Sequence, residues 1–398
     1  MKILQVTPYY EPDFHHGGVV RSTSVLCREL VRLGHEVTVY TTQDSRSSDI
    51  QPKGVPIDVG GVKVVYFKNL LRGFGFGRDM FRATRNLDEF DIVHVTAFWQ
   101  LLGLPAFLSA RRAGIATVVS PRGSLVMVRR TSVDAFRHRL FYRVLNRRLL
   151  ESASAIHYTA GVERDDGRAL GLEAPSFCIP NAIPMDEFRS LPDRSTARAK
   201  FGISDSVPLV LFVGRLDRRK ALDVLLSAFS RLSGRAGEAV LILAGPDFGE
   251  LEMLENLSRS LKIEARVRFV GMVDAQERAS LLAAADLITL TSLAENFGNS
   301  GAEAMAAGVA VLVSDQCGVA EGVEEGGVGR VVKVDEDVMV RVLDEMLSDA
   351  EALREMGIRG PSFARSRYEV AGVAKNFALA YEDILSGNRS PTCRWSDG

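Results

Sequence analysis

The sequence predicts an α/β protein built from two doubly wound parallel-sheet domains, and three observations predict it. Short apolar strand runs alternate with amphipathic helical runs along the whole chain, the pattern of parallel sheets covered by helices on both faces. Many of the 35 glycines fall where a strand run turns into a helical one. The length, 398 residues, is too great for one ordinary domain and suits two.

The elements follow in order. Residues 3–7 form a strand, a loop runs to Gly18, and a helix over residues 19–33 ends at Gly34. Residues 36–41 return as a strand, completing a right-handed βαβ unit. Further strands are expected at residues 62–67, 92–96, 117–120 and 155–159. The composition changes near Ile179-Pro180-Asn181, and the polar stretch to Phe201, with Pro184 and Pro192, reads as the connection between domains. A second series follows at residues 209–213, 239–244, 267–270, 287–290 and 309–314, with a short edge strand near 330–334. Residues 1–180 and 181–361 are the two domains, a helix over 362–386 crosses back to the first, and the small, polar residues 387–398 form a disordered tail.

Composition narrows the class. The hydrophobic fraction is 46% and the charged fraction 25%, as in a water-soluble globular chain. No run approaches the ~20 apolar residues that span a bilayer, since the best stretch, 281–293, is cut by Asp286. The start runs straight into a strand and lacks a signal-peptide layout, which points to the cytoplasm. Cys27, Cys178, Cys317 and Cys393 lack metal or disulfide spacing. Residues 1–180 hold 24 Lys and Arg against 17 Asp and Glu, a balance of +7, and the remainder holds 25 against 33, or −8. The first half therefore suits an anionic partner or surface.

Parallel sheets place their ligand loops at the carboxyl ends of strands, and the unusual residues fall there. Glu295-Asn296-Phe297-Gly298-Asn299-Ser300-Gly301-Ala302-Glu303 follows the strand at 287–290 and leads into a helix of small residues. Two glutamates bracket a glycine-bearing turn, and the N–H groups of Gly298 to Ser300 open a helix N-terminus that favours anions. Glu303 could take a ribose diol and Glu295 could face a sugar; each glutamate alone could equally sit on a solvated face. A second constellation, Gly214-Arg215-Leu216-Asp217-Arg218-Arg219-Lys220, leaves the second domain's first strand. Arg215 and Lys220 are placed to steady a leaving diphosphate as its charge grows, whereas Arg218 and Arg219 read as a solvated charge run.

On these motifs, with Gly17-Gly18 and Ile179-Pro180-Asn181, the chain resembles retaining glycosyltransferase family four, the glycogen-synthase-like group, over essentially its whole length to about Leu385. The resemblance implies the GT-B fold, two Rossmann-like domains facing across a cleft, with the first on the acceptor side and the second binding a nucleotide-diphosphate sugar. Glu303 then resembles the ribose-binding glutamate and Glu295 the one contacting the donor sugar. Phe297, Gly298, Asn299 and Ser300 resemble the backbone cradle, Arg215 and Lys220 the diphosphate-holding pair, and Gly17 and Gly18 the loop that closes over the phosphates. Met272, in Gly271-Met272-Val273, marks the place of the base. The resemblance implies no metal and no cofactor beyond the sugar nucleotide, and an acceptor that is a glycan or lipid-linked, in surface polysaccharide or glycolipid synthesis. Arg122, in Ser120-Pro121-Arg122-Gly123, stands where many members carry a histidine. Arginine stays protonated and cannot be a general base, but it could stabilise the leaving phosphate or bind an anionic acceptor. Asn181-Ala182 departs from the family's usual Asn-Gly.

Other features of the sequence admit more than one reading. His94, ending a predicted strand, could line the acceptor side with Trp99, or be a hydrogen-bonded core histidine. Residues 121–150 hold eight arginines and one acid, Asp134. The basic amphipathic part, 129–148, could lie on an anionic membrane surface, hold a pyrophosphate-linked acceptor, or be an ordinary helix with a basic exposed face. Nucleic acid is not expected, since no stacking platform or groove-reading motif accompanies the charge. A nucleotide-sugar epimerase and a catalytically silent sugar-nucleotide subunit are the rival readings, and the retention of Glu295, Glu303, Arg215 and Lys220 favours an enzyme.

Overall fold

The computed structural model describes residues 1–14, 17–43, 54–68, 78–97, 103–126 and 147–388. Two compact units share the chain, one formed by Met1–Ala182 with Val370–Gly398, the other by Ile183–Glu369.

The first unit holds an eight-stranded sheet: β1 (Lys2–Val6), β2 (Glu36–Gln43), β3 (Ile57–Val59), β4 (Val62–Lys68), β5 (Ile92–Thr96), β6 (Ala116–Ser120), β7 (Ala155–Tyr158) and β8 (Ser176–Cys178), in the order β3-β4-β2-β1-β5-β6-β7-β8. Central β5 is buried at every position, which requires cover on both faces. Helix Gly18–Arg32 follows β1, and the final helix Val370–Leu385 packs against it. Leu26, Leu30, Phe377 and Tyr381 share that core. The sheet is not wholly parallel as expected. β3 runs antiparallel to β4 as an edge hairpin, and its three residues, with Asp58 exposed between the half-buried Ile57 and Val59, are too few to register as a strand period.

The second unit holds a six-stranded sheet: β9 (Leu209–Val213), β10 (Val240–Ala244), β11 (Val267–Gly271), β12 (Leu287–Leu290), β13 (Ala310–Ser314) and β14 (Gly329–Val332), in the order β11-β10-β9-β12-β13-β14. All its pairings are parallel. Alternate residues feed opposite layers: Leu209 and Leu211 one core, Val210 and Phe212 the other. Each fully buried Val, Leu or Phe of this kind contributes about 1.5–3 kcal/mol. The winding reverses between β10 and β12, on either side of β9, and such a switch point is where ligands bind in open α/β sheets. Asp286, which interrupts the apolar run before β12, accepts from the fully buried Arg198 at 3.2 Å and from the Leu209 backbone N–H at 2.8 Å. It therefore anchors the start of β9.

The crossing helix begins later than the sequence suggests. Helix Ala350–Tyr368 belongs to the second unit and ends at Glu369, whose extended backbone pairs with Ile183. Phe363 and Tyr368 pack into the second unit's core, so only Val370–Leu385 joins the first unit. Of the expected tail, residues 389–398 lie outside the described residues.

Candidate functional site

The exits of β9, β10 and β11 are laced together. Gly214 N–H donates to Ala244 O at 2.9 Å, Gly245 N–H to Gly271 O at 2.7 Å, and Leu216 N–H to Pro246 O at 2.9 Å. A Cβ at Gly245 would collide with the Gly214 carbonyl, so this close approach demands glycine. Beyond it, Asp217 caps the short 3-10 helix Arg218–Lys220 by accepting from Arg219 N–H at 2.9 Å. Arg219, whose side chain stays 37% exposed, is also partnered, its Nη2 donating to Asp217 at 2.8 Å. Burial alone would raise the Asp217 carboxyl, but the Arg219 hydrogen bond and the charges of Arg219, Arg215 and Lys220 hold it below the usual range. Arg215 lies over the Phe248 ring, 5.0 Å from its centroid, with Nη2 3.5 Å from Asp217. Ala221, directly after Lys220, has φ +49°, a left-handed conformation that costs a non-glycine residue about 1–2 kcal/mol.

The loop after β12 meets this turn. Leu293 N–H donates to Arg219 O at 2.7 Å, and Thr291 Oγ1 to Lys220 O at 3.3 Å. Lys220 Nζ then forms an ion pair with Glu295 Oε2, the two side chains being 13% and 22% exposed. Glu295 is clamped by its backbone, with its N–H to Gln316 O at 3.0 Å and Gly318 N–H to its carbonyl at 3.1 Å. Phe297 is 3% exposed and meets Tyr368 edge-on at 5.5 Å. Its ring is core, which leaves only its backbone for a ligand. Gly298 caps helix Asn299–Ala306 with φ +98°, and Asn299 and Ser300 open that helix half-buried.

Glu303 is not on a solvated face. It is 5% exposed, and its Oε2 accepts from Arg278 Nη1 at 2.8 Å. Arg278, on helix Ala275–Ala284, also reaches Glu187 Oε2 at 3.3 Å. Met272, just after β11, is 67% exposed. The second unit thus brings Arg215, Lys220 and Glu295 to one place by loop contacts. Glu303 is held by Arg278, an arginine that the sequence did not single out.

In the first unit Gly17, φ +90°, caps helix Gly18–Arg32. Earlier in the chain, Glu11 is fastened by its ion pair with Arg28 and by the Tyr66 hydroxyl donating to its carbonyl. Arg122 has φ +54°. Its Nη1 donates to Asn181 Oδ1, and burial pulls its pKa below the ordinary value against the Glu163 charge. Glu163, 2% exposed, accepts from Gly123 N–H at 2.6 Å and Thr159 N–H at 3.0 Å. Burial raises its carboxyl, opposed by the Gly123 and Thr159 backbone bonds, the Arg122 charge and the Thr159 hydroxyl.

His94 does not line an acceptor surface. It is 1% exposed, with Nδ1 2.6 Å from the Tyr381 hydroxyl and Nε2 2.6 Å from Ser120 Oγ. Trp99 lies outside the described residues, as does most of 129–148; of that stretch Arg147 Nη2 donates to Gly171 O at 3.0 Å.

Comparison with known proteins follows the same division. The family described as glycosyl transferases group 1 matches residues 193–363, and the glycosyl transferase 4-like domain matches residues 17–182. The chain is similar to a D-inositol 3-phosphate glycosyltransferase of Nocardia farcinica, 36% identical over 52% of this chain and 47% of that protein. It is 27% identical to a GDP-mannose-dependent alpha-(1-6)-phosphatidylinositol monomannoside mannosyltransferase of Mycolicibacterium smegmatis, over 97% of this chain and 99% of that one. The chain spans about half the length of the first of these relatives. A sucrose-phosphate synthase from Thermosynechococcus elongatus superposes with a TM-score of 0.80 at 20% identity, over 97% and 99% of the two chains. That likeness places the fold among the GT-B glycosyltransferases.

Proposed function

The chain belongs to the group 1 glycosyltransferases, and from that premise we propose that it transfers a sugar from a nucleotide-diphosphate donor to an acceptor hydroxyl, with retention and without a metal. The observation that carries the reading is the meeting of Lys220 and Glu295, 75 residues apart, beside Arg215 at the exit of β9. A leaving diphosphate gains negative charge as its bond to the sugar breaks, and cations fixed beforehand stabilise that state more than the ground state. Lys220 and Arg215 supply this charge, so the reaction as proposed calls for no Lewis acid. Glu295, the carboxylate we take to face the donor sugar, is engaged by Lys220. The acceptor hydroxyl therefore attacks the face the nucleotide leaves, and the departing phosphate oxygen takes the proton. Glu303 takes the ribose.

The curated relatives act, by name, on D-inositol 3-phosphate and on a phosphatidylinositol mannoside. We take the acceptor here to be a glycan or lipid-linked polyol of this anionic kind. Among the described residues no helix is long and apolar enough to cross a membrane. Contact with an anionic lipid surface would rest on the basic residues 129–148.

The test is a panel of uridine, guanosine and adenosine diphosphate sugars screened by thermal unfolding. A donor at 100 times its Kd adds about 2.7 kcal/mol of stability. Product formed with inositol phosphate or phosphoinositide acceptors is then read by NMR at the anomeric carbon. An α-linked product from an α-linked donor, with turnover unchanged by EDTA, supports the proposal. An inverted product removes the retaining mechanism, and sugar released with no acceptor modified removes transfer. Flotation with anionic vesicles that is indifferent to salt and lipid charge removes the membrane contact.

A further inference from the structure

We propose that Arg278 is a positioning residue that fixes the carboxylate of Glu303 and thereby sets the preference for ribose in the bound nucleotide; this rests on the reading that Glu303 takes the ribose. Glu303 stands on helix Asn299–Ala306 among the fully buried Ala302, Ala304 and Met305, and is itself 5% exposed. A carboxylate in such surroundings persists only if it is paired. Arg278 supplies the pairing from another element, with Nη1 donating to Oε2 at 2.8 Å. Its own side chain is 16% exposed, and its second terminal nitrogen is 3.3 Å from Glu187 Oε2, on the 3-10 helix Met185–Phe188.

The guanidinium is therefore held by two carboxylates on two different elements. Its planar fork cannot rotate without losing one of them. The plane of the Glu303 carboxylate follows from the arginine's position, because one oxygen is tied to a fixed donor. An ionised carboxylate offers roughly four lone-pair sites, and the arginine bond takes one of them, on Oε2. A diol needs two acceptor directions correctly set, whereas a deoxyribose, with one hydroxyl, needs one. Arg278 thus bears on discrimination between the two sugars more than on affinity for the diphosphate.

The experiment measures binding of UDP, GDP and ADP and of their 2′-deoxy counterparts by calorimetry, using the full chain. Variants are Glu303→Gln, Arg278→Gln and Arg278→Lys, each checked for an unchanged Tm. For the base the protein accepts, the wild-type chain is expected to prefer the ribonucleotide by about tenfold or more, the worth of a hydrogen bond to a charged group. Glu303→Gln and both Arg278 variants are expected to bring that ratio near one, through weaker ribonucleotide binding with the deoxy form changed little. Arg278→Lys keeps the charge and removes the fork, so it reports on geometry even if the glutamine variant fails to fold. Equal losses for both nucleotides in the Arg278 variants would make Arg278 merely structural and overturn the inference. So would a ratio abolished by Glu303→Gln yet untouched at Arg278. A wild-type chain that treats both nucleotides alike, or a ratio indifferent to Glu303→Gln, overturns the ribose reading and this inference with it.

Discussion

Tyr381 and His94, 287 residues apart, are joined by a 2.6 Å hydrogen bond that ties the final helix to the centre of the first unit's sheet. The bond begins a chain whose proton positions are all determined. His157 Nε2 lies 2.8 Å from Ile179 O, which can only accept, so that nitrogen bears the proton. His157 Nδ1 then accepts from Ser120 Oγ at 2.6 Å, and Ser120 accepts from His94 Nε2 at 2.6 Å. His94 Nδ1 is left to accept from the Tyr381 hydroxyl. Each imidazole is neutral in a single tautomer, and a proton added to either reverses a donor.

Acid should therefore unfold the first unit early. Burial, helped by the Arg122 charge, pushes His94 down to about 3 and takes His157 well below its ordinary value, where protonation of His94 would lower it further. In the unfolded chain both titrate near 6.5, so their contribution is complete above that pH. It is lost as pH falls towards 3, by about 1.4 kcal/mol per unit for each histidine. Glu163, raised by burial, works in the opposite sense, since its protonation favours the folded form. The net slope is thus less than two protons per unit. Urea unfolding between pH 7 and 4 measures it. Tyr381→Phe leaves the buried His94 Nδ1 without a donor, at an expected cost of about 1–3 kcal/mol.

The Lys220–Glu295 pair separates activity from stability. Lys220→Ala and Glu295→Gln should each lower kcat/KM about 10²-fold or more, the effect of removing a preorganised charge from a developing one. Being partly open to solvent, at 13% and 22%, the pair is worth little more than the about 0–1 kcal/mol of a surface ion pair. Unfolding midpoints should barely move. Steady-state kinetics with the identified donor, beside thermal melts, check both halves; a large loss of stability with modest kinetic change would make the pair structural.

Both the acidic and the cationic members of this pair were legible because unusual residue types fall just after strands, where parallel sheets expose their loops. Their ion pairing was not legible, because it depends on two loops that meet only through backbone bonds such as Leu293 to Arg219. Arg278 and Glu163 were invisible for another reason: a charged residue on a helix reads as solvated until something buried is seen to accept from it. His94 carried two readings at once, since a histidine ending a central strand suits both a ligand and a core bond. The strands β3 and β8, three residues each, are too short to show a period. The helix break at Glu369 follows from pairing with Ile183, a contact across the whole second unit.

Gly298→Ala should damage the site through the backbone. Its φ of +98° is disfavoured for any residue with a Cβ. A Cβ there would lie 3.1 Å from Leu290 Cδ2 and 3.2 Å from Val319 Cγ1. The expected cost is about 1–2 kcal/mol from the conformation alone, with the start of helix Asn299–Ala306 displaced. Because Glu303 rides on that helix, affinity for the nucleoside diphosphate should fall as well. Calorimetric titration of the folded variant tests this, and an unchanged Kd would detach the turn from the ligand.

Phe248 offers the sharpest separation of roles. The ring is 54% exposed, so Phe248→Ala removes little buried surface and stability should change by less than about 1 kcal/mol. The ring nevertheless supports one face of Arg215 at 5.0 Å, while Asp217 steadies the other end of the guanidinium at 3.5 Å. A partly exposed cation–π contact is worth about 0.5–1 kcal/mol, and its loss frees Arg215 to swing towards Asp217. Donor affinity should then fall about two- to fivefold, by an amount that Phe248→Tyr restores and Phe248→Leu does not. Combining Phe248→Ala with Arg215→Ala should add nothing to the effect of Arg215→Ala alone, since the ring acts only through the arginine. Additive losses in that double-mutant cycle would mean that the ring touches the donor directly.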